Sequence, residues 1–120
     1  MNERDQKNIT NMLNYIEKAL SYVDGMNFED FSEDKKTQYA VSFCLQQVGD
    51  GVKNISAETQ YLNSHISWHG ISAFRNKVVH EYEDVNVKSL FKFLERDLRA
   101  LQRDLFSLVD SKNRTPNVPL

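Results

Sequence analysis

The sequence predicts an all-α protein, an antiparallel four-helix bundle, and three observations lead to that fold class. Apolar residues recur at spacings of three and four through four segments of the chain. Both prolines lie within the last five residues, so residues 1–115 contain none of the helix interruptions that proline causes. A length of 120 residues with 40% hydrophobic residues suits a single packed core. We therefore predict one helical domain over residues 1–110 and a flexible C-terminal tail over 111–120.

Composition and charge exclude several classes of protein. The 15 basic and 17 acidic residues give a net charge of -2, so the chain lacks the strong basic bias of proteins that coat nucleic acids. No apolar run approaches the roughly 20 residues that span a bilayer, and the first ten residues are polar. Cys44 is the single cysteine, which excludes an intrachain disulfide. We expect a cytoplasmic protein with no membrane partner.

The first helix is predicted from about Asn2 to Asp24, and Gly25 is a natural helix stop. Its buried face is the set of apolar residues at helical spacing, namely Ile9, Met12, Leu13, Ile16, Ala19, Leu20 and Val23. The connector that follows contains Phe28 and Phe31, which we expect to fold back onto the core.

The second helix is predicted to begin after Ser32, which is a favoured N-cap residue, and to run to Ile55. Gly49 and Gly51 lie inside it, although each glycine costs a helix up to about 1 kcal/mol relative to alanine. The pair indicates either a kink or a close helix–helix approach, and the sequence leaves both open. Periodicity then fades over residues 57–67, which we predict to be a loop with a short turn.

The third helix is predicted from Trp68 to the neighbourhood of His80. At 100° per residue its core face consists of Trp68, Ile71, Phe74 and Val78. A connector follows, with Asp84 or Asn86 as the next helix cap. The last helix is predicted to begin at Val87, with leucines at spacings of three or four from Leu90 to Leu108. This apolar stripe serves the core, a dimer contact, or both.

The third helix also carries the chemically informative residues, Arg75, Asn76, His80 and, just beyond them, Tyr82. Asn76 and His80 are four residues apart on the side away from the core, and Arg75 lies at the edge of the core face. Imidazole exchanges a proton near neutral pH, and guanidinium presents a permanent charge with several donors to phosphate oxygens. The set suits phosphate chemistry, but a structural role for His80 is equally compatible with the spacing alone.

The spacing Arg75-x4-His80-x-Tyr82 resembles the R-x4-H-x-Y signature of HepT-like toxins of the HEPN superfamily, the partners of minimal nucleotidyltransferase antitoxins. The resemblance extends from about Asn2 to Val109: two long helices, a tryptophan before a short helix, the motif and a final helix. Where related sequences often carry a Gly-Glu-Ala-like segment in the second helix, this chain has Gly49-Asp50-Gly51. The resemblance implies a HEPN-like bundle in which the short third helix carries the motif.

The resemblance also implies a function. Arg75 and His80 correspond to the catalytic pair of metal-independent endoribonucleases, often completed across a homodimer, and Asn76 corresponds to a supporting polar residue. Tyr82 corresponds to the tyrosine to which the nucleotidyltransferase partner adds AMP, silencing the toxin of a type VII toxin–antitoxin pair. RNA is then the substrate, and no metal or other cofactor is required.

Two other functional hypotheses remain open at this stage. One is a non-catalytic helical subunit that binds the nucleotidyltransferase. The other is a structural bundle in which the motif only stabilises a dimer contact. Induced expression without any partner separates them, because only a ribonuclease degrades RNA in a manner that depends on His80.

Three further groups are weaker candidates for sites. His65 and His69 have the spacing of metal ligands on one helix face, but no cysteine or carboxylate cluster accompanies them. Cys44 lies among apolar residues and is predicted to be a buried small side chain. The series Arg96, Arg99 and Arg103 forms either an RNA groove or, as we favour, a solvated face balanced by neighbouring carboxylates.

Overall fold

The structure is a computed structural model that describes residues 1–80 and 86–117, with side chains for 1–78 and 86–109. Its regular elements within these ranges are helical, and this confirms the all-α prediction. The elements are α1 (Glu3–Tyr22), α2 (Phe28–Glu33), α3 (Lys35–Val52), α4 (Ala57–Leu62), α5 (Trp68–His80), α6 (Val87–Lys92), a π-helical turn (Phe93–Asp97) and α7 (Leu98–Asn117). Over the part of the chain that is described, no helix has both the length and the apolar character needed to cross a membrane.

Helix α1 has the limits that its capping residues predict. The Asn2 side chain accepts a hydrogen bond from the Asp5 backbone N–H at 2.7 Å and so forms the N-cap. After Tyr22 the chain turns through Gly25, whose φ of 78° lies in the left-handed region that favours glycine. The helix stop predicted at Gly25 is therefore confirmed.

The start of α3 differs from the prediction. Ser32 is not the N-cap, because it lies inside the short helix α2, which a capping box between Asn27 and Asp30 initiates. The cap of α3 is Asp34, whose carboxylate accepts hydrogen bonds from the Thr37 backbone N–H at 3.0 Å and hydroxyl at 2.7 Å. A six-residue helix has too few turns to show a hydrophobic periodicity, so the sequence pattern did not indicate α2 within the connector.

The segment predicted as a loop after α3 also contains a helix, α4. The Ser56 side chain caps it by accepting a hydrogen bond from the Thr59 backbone N–H at 3.2 Å. Asp5 of α1 ties this cap in place, because its carboxylate accepts hydrogen bonds from Ser56 N at 2.9 Å, Ser56 Oγ at 2.5 Å and Thr59 Oγ1 at 2.6 Å. The prediction of a loop was wrong because a long-range anchor, rather than local periodicity, defines this helix.

Helix α5 has the bounds predicted for the third helix, Trp68 to His80. Trp68 and Val78 are buried, and Ile71 and Phe74 pack against the core while half-buried, so the predicted core face is confirmed.

Helix α6 begins at one of the two residues predicted as its cap. The Asn86 side chain accepts hydrogen bonds from backbone N–H groups in the first turn of the helix.

The last helix is interrupted, unlike the continuous helix predicted. A π-helical turn at Phe93–Asp97 separates α6 from α7. At this turn the Phe93 ring stacks on Phe74 of α5, with ring centroids 3.9 Å apart and planes 8° apart. The backbone of α7 continues to Asn117, into the segment for which the sequence predicts a flexible tail.

Helices α1 and α3 form the antiparallel centre of the structure. Their contacts run in opposite order along the two helices, from Met12 with Gly51 to Tyr15 with Phe43. Phe31 is fully buried and its ring packs against Phe91, which Phe28 also contacts, as expected for a connector that folds back. Other fully enclosed apolar side chains of the core are Ile9, Met12, Ile16, Val41, Val48, Leu94, Leu98 and Leu105.

Candidate active site

The candidate site begins at the contact between α3 and α5. A Cβ atom on residue 49 would overlap the Cβ and Cγ atoms of Arg75, so the absence of a side chain at Gly49 is what admits Arg75. Of the two roles that the sequence left open for this glycine, the structure selects close approach. The contact places the Cβ and Cγ atoms of Arg75 directly against α3.

The guanidinium group of Arg75 then meets the carboxylate of the next residue along α3. Arg75 Nε lies 2.8 Å from Asp50 Oδ1 in an ion pair. The pairing is electrostatic rather than an aligned hydrogen bond, since the buried Nε–H has no hydrogen-bond acceptor in line with it. On the other side, Arg75 Nη1 donates a hydrogen bond of 3.2 Å to Asn76 Oδ1. The side chains of Asp50, Arg75 and Asn76 therefore form one connected polar group across α3 and α5.

This arrangement leaves the guanidinium group both fixed and accessible. The Arg75 side chain is 20% exposed and that of Asp50 is 40% exposed, so the pair lies at the protein surface rather than in the core. Asp50 approaches the Nε edge, while the terminal nitrogens carry further N–H donors. A guanidinium group that is held at Nε and carries further N–H donors on its terminal nitrogens is suited to binding an anion such as a phosphate group.

Asp50 is a site residue that the sequence analysis did not assign. Asp50 and Arg75 are far apart in sequence, and helical periodicity relates only residues on the same helix. The available signal was the Gly49-Asp50-Gly51 segment, which occupies the place of the Gly-Glu-Ala-like segment of related sequences. The glycine and the carboxylate of that segment both act on Arg75.

The described residues bring together part of the predicted site. Arg75 and Asn76 are adjacent and hydrogen-bonded, and Asn76 is exposed, as predicted. His80 ends α5, about 7.5 Å further along the helix axis than Arg75, and its side chain lies outside the described side chains. Tyr82 lies outside the described residues altogether.

Comparisons with known proteins give a family match over most of the chain. The family model described as "Ribonuclease HepT-like" matches residues 12–107, which include Asp50 and the whole motif. The chain belongs to the HepT-like ribonuclease family.

Individual proteins are similar to this chain along most of its length. The protein named "Probable ribonuclease HepT" from Thermococcus cleftensis is 36% identical over 87 residues, covering 72% of this chain and 79% of that protein. A protein from Caldanaerobacter subterraneus subsp. tengcongensis, named "Putative RNase TTE0752", is 26% identical over 104 residues, covering 87% and 93%. No solved structure shows significant similarity to the chain.

The weaker candidates from the sequence lie elsewhere in the HepT-like fold. Cys44 is buried, as predicted, and this desolvation raises the pKa of its thiol. Arg96, Arg99 and Arg103 are all exposed, as a solvated face requires. His65 and His69 are also exposed, and no three His, Cys, Asp or Glu side chains within the described ranges converge as metal ligands.

Proposed function

We propose that this protein is a metal-independent endoribonuclease whose catalytic residues are Arg75 and His80. The observation that carries the proposal is the Asp50–Arg75–Asn76 arrangement, in which an accessible guanidinium group is fixed at the surface by a carboxylate and an amide. Membership of the HepT-like ribonuclease family and relatives named as ribonucleases support RNA as the substrate.

The chemistry uses the 2′-hydroxyl of the RNA as nucleophile. Its oxygen attacks the adjacent phosphorus while its proton passes to a base, and the bond from phosphorus to the 5′-oxygen of the next nucleotide breaks. The leaving oxygen takes up a proton, so the products carry a 2′,3′-cyclic phosphate and a 5′-hydroxyl. His80 acts in proton transfer, since imidazole titrates near neutral pH.

Arg75 supplies the charge stabilisation. The phosphorane-like transition state carries more negative charge on its non-bridging oxygens than the substrate does, so a fixed guanidinium group binds it more tightly. Asp50 acts as a positioning residue, because it holds Nε and leaves the terminal nitrogens directed elsewhere. Asn76 supports the same orientation through its hydrogen bond to Nη1.

The proposal includes the regulation that the family resemblance implies. We propose that the protein acts in the cytoplasm as the toxin of a toxin–antitoxin pair and that a minimal nucleotidyltransferase neutralises it by adding AMP to Tyr82. An adenylyl group adds a negative charge and bulk two residues after His80, which would repel RNA phosphate. A homodimer would bring two copies of the motif together at its seam.

The decisive experiment compares purified wild-type protein with the His80→Ala and Arg75→Ala variants on an RNA oligonucleotide in the presence of EDTA. We expect cleavage by the wild type alone, products that end in a cyclic phosphate, and no cleavage of an oligonucleotide with a 2′-deoxy sugar at the scissile position. His65→Ala is the matched control, since His65 is an exposed histidine outside the motif.

Two results would contradict the proposal. Cleavage that persists in the His80→Ala variant, or that EDTA abolishes, would exclude this mechanism. Absence of cleavage by folded wild-type protein, together with stable binding of the nucleotidyltransferase, would favour the non-catalytic binding subunit instead.

A further inference from the structure

The exposed face of α3 carries aromatic side chains in line with the candidate site. Tyr39 and Phe43 are 56% and 54% exposed, so both rings are accessible at the surface of α3. At 100° per residue, Tyr39, Phe43 and Asp50 lie within about 40° of one another around the helix. The rise of the helix places Phe43 about 10 Å and Tyr39 about 16 Å along the axis from Asp50.

Helix α1 adds a third ring and a positive charge beside this face. The Tyr15 ring meets Phe43 edge-on, with centroids 6.2 Å apart and planes 74° apart. The Lys18 ammonium group lies 5.1 Å from the centroid of the Tyr15 ring. We define the aromatic strip as Tyr15, Tyr39 and Phe43.

The charges around the aromatic strip favour a polyanion. Helix α3 begins with Lys35 and Lys36, both exposed, and Asp50 is the one carboxylate in its sequence. That carboxylate is already paired with Arg75. Accessible rings beside cationic side chains are features of binding sites for single-stranded nucleic acid.

An apolar groove beside α5 has the opposite character. This groove between α5 and the last helix has a volume of about 400 Å³ and is lined in part by Phe74, Phe93, Asp97 and Asp104. Its two rings already stack on each other, and its carboxylates would repel phosphate groups. RNA is therefore better accommodated along α3 than in this groove.

We propose that the aromatic strip is a base-stacking platform for the RNA nucleotides that flank the phosphate bound at Arg75. This inference rests on the proposed ribonuclease function and extends it to the substrate contacts outside the catalytic centre. The axial distance from Asp50 to Phe43 corresponds to roughly three stacked nucleotides at about 3.4 Å each. Because every base has a π-face, the platform binds single strands with little sequence preference.

The test measures binding separately from cleavage. The probe is a single-stranded 2′-O-methyl oligonucleotide, which lacks the nucleophilic hydroxyl, and fluorescence anisotropy gives its dissociation constant. We expect Phe43→Leu, which keeps an apolar side chain but removes the π-face, to weaken binding roughly 5- to 100-fold. An abasic oligonucleotide of equal length should bind weakly to both proteins.

Two further variants control for folding and for general hydrophobicity. Phe43→Trp should retain affinity, and its fluorescence should be quenched by the oligonucleotide, whereas the native Trp68 is buried. Tyr61→Leu removes a ring that is 81% exposed on α4, outside the strip, and should bind as the wild type does. Circular dichroism checks that each variant is folded.

Each contrary outcome has a distinct meaning. If Phe43→Leu binds the oligonucleotide as tightly as wild type while the wild type cleaves RNA, the platform is wrong and the proposed function stands. If Phe43→Leu instead changes the oligomeric state without altering affinity, the strip is a contact between protein chains and the proposal is again wrong. If binding depends on Phe43 but cleavage does not depend on His80, the platform stands and the catalytic proposal fails.

Discussion

Gly49 packs directly against the Cβ and Cγ atoms of Arg75, so that no side chain on residue 49 fits between α3 and α5 in their present positions. The neighbouring residue, Asp50, forms an ion pair with the far end of the same arginine. Two consecutive residues of α3 therefore set both the position of the Arg75 backbone and the direction of its guanidinium group. Substitutions at these residues should therefore change both the stability of the protein and its rate of RNA cleavage.

We expect Gly49→Ala to destabilise the protein by about 2 kcal/mol. Alanine favours a helix by up to about 1 kcal/mol, but overpacking against the fixed Cβ of Arg75 costs more. Gly70→Ala is the matched control and should not lose stability, since Gly70 is an exposed helical residue whose new methyl group would meet only the Ser67 hydroxyl, the end of an exposed side chain that can rotate. Urea denaturation measures both free energies of unfolding. A Gly49→Ala variant as stable as wild type would contradict the packing described.

We expect Asp50→Asn to reduce kcat about 10-fold with a smaller change in KM, because the guanidinium group loses the charge that orients it. Asp50→Glu keeps a carboxylate and should restore part of the rate. Steady-state kinetics on an RNA oligonucleotide separate the two constants. If Asn and Glu at this position behave alike, the carboxylate does not position Arg75.

We expect Arg75→Lys to lose about 10²- to 10³-fold in cleavage rate although the charge is retained. Lysine cannot present several donors in one plane, so it cannot both pair with Asp50 and span two phosphate oxygens. Lys77→Arg, at an exposed position on the same helix, is the control and should leave the rate unchanged. A fully active Arg75→Lys variant would show that net charge alone suffices.

The buried carboxylate of Asp5 predicts a pH dependence of stability. Burial raises the pKa of Asp5, but hydrogen bonds from Ser56 and Thr59 outweigh it, and the net pKa lies below the ordinary value of 3.8. The folded state therefore favours the ionised form. Its contribution to stability is present above pH 3.8 and is lost as the pH falls through the lower pKa of the folded state.

Accordingly, Asp5→Asn should lower the free energy of unfolding by about 2 kcal/mol at pH 7, since it weakens three hydrogen bonds to an ionised acceptor. The difference from wild type should shrink below about pH 4. Glu3→Gln, at an exposed position in the same first turn, should show neither effect. Urea titrations at several pH values make the comparison, and a constant difference down to pH 2 would contradict it.

The stacked rings of Phe74 and Phe93 join α5 to the π-helical turn. We expect Phe93→Ala to cost about 2 kcal/mol, less than a fully buried phenylalanine because both rings are half-buried. Phe106→Ala removes a ring that is 57% exposed and should cost far less. Thermal unfolding of the two variants tests the difference, and equal losses would show that the stack contributes little.

The sequence by itself determined the features that depend only on residues within a few turns of the same helix. The bounds of α5, its core face at Trp68 and Val78, and the cap at Asn86 follow from helical period and from side chains that bond within their own turn. The motif that indicated the family is equally local, since Arg75, Asn76 and His80 belong to one helix.

Tertiary structure alone decided which helices meet. Asp50 reaches Arg75 because Gly49 lets α5 approach α3, and this depends on side-chain volumes from two helices that are distant in sequence. In the same way Asp5 holds the cap of α4, a helix too short to show a period. Local periodicity reports which face of a helix is apolar, whereas packing and long-range polar contacts select its neighbour.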